Sequence, residues 1–198
     1  MTGICDTLIS KGIQQDCDNP IVKGMEPDGV IMNRSDIDFA KAVFDTENKD
    51  IIKTLLMKST KQAYPVVQTG NTPFTGTKTT MVAGKYHNTF TNEIPIAVLD
   101  SGPGVSMNVI DGLANGTFVL ILRNKHKGVL GNGEYQIFGW YQGLHASAIE
   151  NDKYSEDTDG GWLVTLQETS SPKSALYYFN TDATTTKTQY DTLTTPAT

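Results

Sequence analysis

Thr117-Phe118-Val119-Leu120-Ile121-Leu122-Arg123 is the stretch on which the fold turns. Successive side chains of a strand point to opposite faces. An unbroken apolar run therefore marks a central strand covered on both sides. The basic run that continues it, Arg123-Asn124-Lys125-His126-Lys127, meets Gly128 and reads as a hairpin tip.

Upstream, Val105, Val109, Ile110 and Leu113 recur at helical spacing between Gly102-Pro103-Gly104 and Gly116, which predicts one amphipathic helix. Before it, Lys78 to Ala83 and Tyr86 to Leu99 read as two strands separated by Gly84, with Ile94, Ile96 and Val98 on one face. Ile51 to Gln68 is mostly extended, and Pro65 within it suits an edge or a bulge. Val30-Ile31-Met32 reads as a short strand, and Ser35-Asp36 caps a turn or two of helix reaching Ala42. Asn71 to Gly76 is a loop. Downstream, Glu134 to Ala146, Trp162 to Glu168 and Ala175 to Phe179 read as further strands of a meander. Glu150 to Gly161 is a long acidic loop among them.

The order of elements is therefore an arm (1–29), a β-rich domain (30–180) and a Thr-rich, partly exposed tail (181–198). The expected fold is mainly β: a β-sandwich or open barrel of antiparallel strands with one flanking α-helix. A chain of 198 residues buries about 70% of its unfolded surface and needs neither metal nor disulfide for stability. The arm scatters Ile4, Leu8, Ile9, Ile13, Ile21 and Val22 among glycines and prolines. It folds poorly alone, yet has apolar residues to dock on its own domain or on a neighbour.

Charged residues make up only 19% of the chain, and its formal net charge is −6. Without a basic face there is no footprint for nucleic-acid binding. An acidic wall would instead let DNA pass without sticking. Cys5 and Cys17 form no CxxC and read as reduced thiols, with a disulfide unforced. The opening residues lack the order of a signal peptide. No apolar run approaches the roughly 20 residues a membrane span requires. The expectation is folding in a cytoplasm.

Nothing in the motifs points to chemistry. The three histidines, His87, His126 and His145, lie far apart in the chain. Asp100-Ser101-Gly102-Pro103-Gly104 superficially resembles an exposed nucleophile in a glycine turn, but GxSxG is absent and a loop-to-helix turn explains it. Asp152, Glu156, Asp157 and Asp159 gather without the alternation of a calcium loop and read as a solvated acidic loop. No GxGxxG, GxxxxGK[ST] or HExxH occurs. The expected catalytic, cofactor and metal residues are none, and the chain reads as a non-enzyme.

What stands out is aromatic content on both faces of strands. In Glu134 to Ala146, read as one strand, Tyr135, Ile137 and Tyr141 face one way and Phe138, Trp140 and Leu144 the other. Either the chain's own helix or arm covers the second face, or another subunit does. Aromatic surfaces with few charges suit subunit interfaces.

A family resemblance adds to this. Ile13-Gln14-Gln15-Asp16-Cys17-Asp18-Asn19-Pro20, then Gly24, then Ile31-Met32-Asn33-Arg34-Ser35-Asp36-Ile37-Asp38 resembles the opening of structural proteins from tailed bacteriophages of Bacteroidetes hosts. Gly139-Trp140-Tyr141-Gln142-Gly143-Leu144 and the stretches Gly161 to Glu168 and Ala175 to Phe179 are similar as well. The resemblance implies a virion component of the phage tail, assembled in the host cytoplasm, with a tail-tube-like fold. It implies a tail tube subunit whose copies form a ring, typically a hexamer, that stacks around a DNA channel. Its partners would be copies of itself and other tail or connector proteins, with no membrane and no specific DNA contact. The arm and the Asn71-to-Gly76 loop are the expected gripping segments. The alternative is a capsid decoration or glycan-binding module stacking sugars on Trp140, Tyr141 and Trp162. A cell-wall hydrolase relying on the histidines is a third reading.

Overall fold

The structure is a computed structural model and describes residues 9, 11–14 and 16–197. Strands hold 36% of it and helices 16%, so the chain is mainly β as expected. The strands are β1 (Met25–Asn33), β2 (Val43–Phe44), β3 (Ile51–Thr54), β4 (Tyr64–Val67), β5 (Lys78–Val82), β6 (Thr89–Val98), β7 (Phe118–Asn124), β8 (Tyr135–Phe138), β9 (His145–Glu150), β10 (Trp162–Ser171) and β11 (Leu176–Tyr178). They form a seven-stranded sheet in the order β2-β3-β11-β8-β7-β1-β4 and a four-stranded sheet in the order β5-β6-β10-β9.

The run Phe118–Leu122 forms the interior strand β7, paired with β1 and β8, and all five residues are buried. Its alternation divides two cores. Phe118, Leu120 and Leu122 face the smaller sheet and meet Ile94, Ile96, Val164 and Leu166. Val119 and Ile121 face the other way and meet Met32, Ile52, Tyr135 and Tyr178. Ile110 and Leu113 of the predicted helix close the first core. That helix spans residues 103–115 and contains one π turn at Ser106–Ile110.

The second core is closed by an element that composition alone concealed. The tail read as partly exposed forms a helix, Ala183–Thr192, whose Tyr190 and Leu193 are buried. Asp182 caps it by accepting a hydrogen bond from the Thr185 N–H at 2.8 Å, and that bond holds the Asp182 carboxyl below its ordinary range. The Tyr190 and Tyr135 rings lie 4.6 Å apart, and the Ala63 N–H donates to the Leu193 carbonyl.

Other expectations shift. β1 begins at Met25, inside the segment read as arm. Ser35–Asp36 opens no α-helix but belongs to the first of two 3-10 turns, Arg34–Asp36 and Phe39–Lys41. Glu134 to Ala146 is not one strand. Gly139 (φ +80°) and Gly143 (φ +86°) turn the chain between β8 and β9. A Cβ at Gly139 would stand 2.5 Å from the Phe118 carbonyl oxygen, so only glycine fits this reversal. The later strands are no simple meander, because β9 and β10 join the smaller sheet while β11 pairs parallel to β3.

Candidate functional site

The residues singled out for chemistry do not converge. His87 lies exposed in the turn before β6 rather than in a strand, His126 lies in the β7–β8 connection, and His145 opens β9. The only side-chain hydrogen bond of a histidine ring among the described residues joins His145 Nδ1 to Thr117 Oγ1 at 3.4 Å. Ser101 is exposed before the central helix, and its N–H donates to Asp100 Oδ1. Among the described residues no set of three His, Cys, Asp or Glu side chains is placed to hold a metal ion. The acidic loop is organised by its own backbone, with Asn151 Nδ2 donating to the Gly160 and Gly161 carbonyls. Cys17 is exposed, whereas Cys5 lies outside the described residues. No described helix is long and apolar enough to cross a membrane.

Two residues of the basic run, Arg123 and Lys127, are paired with carboxylates of the chain itself. Arg123 donates to both carboxylate oxygens of Asp28 (2.9 and 2.7 Å) and to Glu134 Oε1. Lys127 also reaches Glu134 at 3.2 Å.

Tyr135, Phe138 and Trp140 are enclosed by the chain itself, whereas Tyr141 and Trp162 are half-buried. Trp140 is only 6% exposed and packs on Phe39 (centroids 4.8 Å apart) and Phe44, on the same side as Tyr135 and Ile137. The expected grouping with Phe138 and Leu144 fails because the turn at Gly139 inverts the alternation. Trp140 is therefore closed to a stacking sugar. The core residues on the two faces of the larger sheet are covered within the chain, one side by the smaller sheet and the helix at 103–115 and the other by the C-terminal helix with residues 37–63, while a groove beside β4 stays uncovered.

One buried carboxylate escaped the reading of motifs. Glu168, 2% exposed, accepts four hydrogen bonds, from Asn92 Nδ2 (2.8 Å) and from the N–H groups of Gly139 (3.0 Å), Tyr141 (3.2 Å) and Gln142 (3.0 Å). It ties β10 of one sheet to the turn leaving the other. Its only sequence signal is an acid at an inward position of an apolar strand. With every lone-pair direction occupied by the protein, this is a structural clamp.

The open features are edges, an arm and a groove. Gln68 N–H donates to the Pro27 carbonyl, and Gly29 pairs with Val66 and Ile31 with Tyr64. Residues 64, 66 and 68 thus turn their amides toward β1, and 65 and 67 turn outward. Pro65 has no N–H to offer there, so β4 is an edge blunted against pairing. The other edge of that sheet, β2, is two residues long. The smaller sheet differs. Its edges β5 and β9 hold five and six residues, contain no proline, and pair with no further strand, although Leu144 just before β9 bridges Phe118 and residues 111–115 pack beside β9. β5 is exposed throughout. Beside β4, an apolar groove of ≈ 740 Å³ runs between the sheets, lined by Val66, Val67, Val98, Leu99 and Val109 among others.

No family model, curated protein or solved structure matches this chain.

Proposed function

We propose that this chain is a structural, non-catalytic subunit of a bacteriophage tail, assembling edge to edge into rings that stack as a tube around a DNA channel. The observation that supports this most is the asymmetry of the sheet edges. Proline and shortness blunt the larger sheet, whereas β5 and β9 end the smaller sheet with no further strand paired along them, although residues 111–115 pack beside β9. Soluble monomers normally protect such edges.

The strand directions fit a ring. β5, β6, β10 and β9 are antiparallel in succession, so β5 and β9 run in opposite senses. Copies related by rotation about one axis would join β5 to β9 antiparallel and continue the alternation. Such a contact is heterologous, and it closes into a ring when the rotation divides a full turn. The outward face of this sheet suits a channel wall. Thr80, Thr91, Thr165 and Gln167 are neutral, and Glu93 is paired with Lys78 at 2.9 Å. With a net charge of −6, DNA would meet a surface that does not hold it. The family resemblance of the opening segment and of Gly139 to Leu144 agrees with this role.

Negative-stain microscopy of the purified chain should show rings or short tubes. A double substitution, Thr80→Lys with Val82→Lys, places charge along β5 and should leave folded monomers. A chain that stays monomeric at high concentration, or rings indifferent to those lysines, would refute the proposal.

A further inference from the structure

Two neighbouring segments at the Met25 end of β1 hold apolar side chains in solvent. The Lys125 N–H donates to the Gly24 carbonyl at 3.0 Å, which sets the last arm residues beside the β7–β8 connection. That connection is closed at its base by the Gly133 N–H on the Lys127 carbonyl, also 3.0 Å. Val129 (78%) and Leu130 (71%) stand exposed at its tip, and Ile21 and Val22 are exposed on the arm. Arg123 and Lys127 are paired with Asp28 and Glu134, but neither Lys23 nor Lys125 takes part in an ion pair among the described residues. The carboxylates nearest to Lys23 along the chain are Asp16, Asp18 and Glu26, and Asp16 is turned onto the Asp18 and Asn19 amides.

The complementary features lie at the other end of the molecule. The loop between β9 and β10 carries Asp152, Glu156, Asp157 and Asp159 against one cation, Lys153. None of these is in an ion pair among the described residues. Tyr154 in their midst is 95% exposed. Leu144, just before β9, bridges Phe118 at the start of β7, whereas the tip leaves the end of β7. The loop returns at Gly161 against the Val98 carbonyl, beside the groove that Asn33 and Phe118 line. The length of β7, about 20 Å, therefore separates loop from tip. Asn151 closes the loop on the Gly160 and Gly161 carbonyls and buried Thr158 pins it, so it does not cross to the tip of its own chain.

We infer that the acidic loop of one copy docks on the basic, apolar tip of the next, with Tyr154 seated against Val129 and Leu130 and the loop carboxylates facing Lys23 and Lys125. The inference rests on the reading of the chain as self-assembling, and it adds a second contact to the β5–β9 joint. Complementary surfaces at opposite ends of one chain make a heterologous contact, the same kind as that joint. Exposed ion pairs contribute little each. The charges therefore select the partner and its orientation, while the apolar side chains hold the contact.

Single-cysteine chains built on Cys5→Ser, Cys17→Ser test this in the full-length protein. Tyr154→Cys chains mixed with Leu130→Cys chains and treated with a short bis-maleimide should give a product of twice the chain mass, which neither chain gives alone. Lys23→Glu with Lys125→Glu should weaken association by at least about tenfold at low salt, because like charges then face each other. Adding Glu156→Lys and Asp157→Lys to that same chain should return association to the parent's level, a recovery that a misfolded tip would not show. Assembled chains that give no loop-to-tip product, association indifferent to the two glutamates, or no recovery with the two lysines would overturn the docking while leaving the ring joint intact. Sedimentation of the parent chain with vesicles of anionic phospholipid, abolished by Lys23→Glu with Lys125→Glu, would assign the tip to a membrane surface and overturn it as well. Chains that never associate would overturn both.

Discussion

Glu168 is the residue whose loss should be felt most. Truncation to alanine strands four donors, of which Asn92 Nδ2 and the Gly139 N–H are buried and cost about 1–3 kcal/mol each when unpaired and dry. Glu168→Ala should destabilise the fold by about 3 kcal/mol or more, read as a lower urea midpoint at unchanged slope. Glu168→Gln should also destabilise, because the new amide sets a donor against a backbone donor. A midpoint within error of the parent for both variants would mean the clamp contributes nothing. This residue was only half legible. An acid after Val164 and Leu166 in an alternating strand is anomalous, but its partners come from Asn92 and a turn nearly thirty residues away. Trp140 shows the opposite failure. Its face was inferred from strand alternation, and Gly139, with φ +80°, removed the premise.

At the scale of elements, β7 separates two cores, and each depends on it. Leu120 and Ile121 are both 0% exposed yet belong to different clusters. Leu120→Ala and Ile121→Ala should each cost about 2–5 kcal/mol. A much smaller loss for Ile121→Ala would show that the C-terminal helix side is loosely packed. That helix also sets an alkaline limit. Burial pushes Tyr135 and Tyr178 up to about 12, from an ordinary 10.0, and raises Tyr190 too. Between those values the unfolded chain releases phenolic protons that the folded chain retains. Stability contributed by the buried phenols is thus complete below about pH 10 and falls as pH rises toward 12. Urea midpoints from pH 9 to 12 should fall, less steeply for Tyr135→Phe with Tyr178→Phe, and an equal slope in that variant would contradict the assignment. β7 and the central helix were legible because apolar runs and helical spacing report burial directly. The helix Ala183–Thr192 was not. Its run of threonines disfavours helix, and it holds only because Asp182 caps it and Tyr190 finds Tyr135.

For the whole molecule, the enclosed aromatic faces change the argument for association. Apart from the groove beside β4, both faces of the larger sheet are covered by the chain itself, so self-assembly is argued from the terminal strands β5 and β9 and from the exposed arm. Assembly through backbone edges should respond weakly to salt, since few charges lie along them. Sedimentation between 50 mM and 500 mM NaCl is expected to give the same oligomer. Dissolution by salt would point to ion pairs instead. A mainly β chain with a doubly covered central strand, a flanking helix, an apolar arm and little charge was legible from the residues alone. Each of those is a local property of periodicity or composition. Which strands lie at edges, which aromatics are enclosed and where a groove stays open emerge from the folded chain. Those depend on pairings between residues distant along the chain, set by the turn at Gly139 and the capped helix at Asp182, which local patterning does not encode.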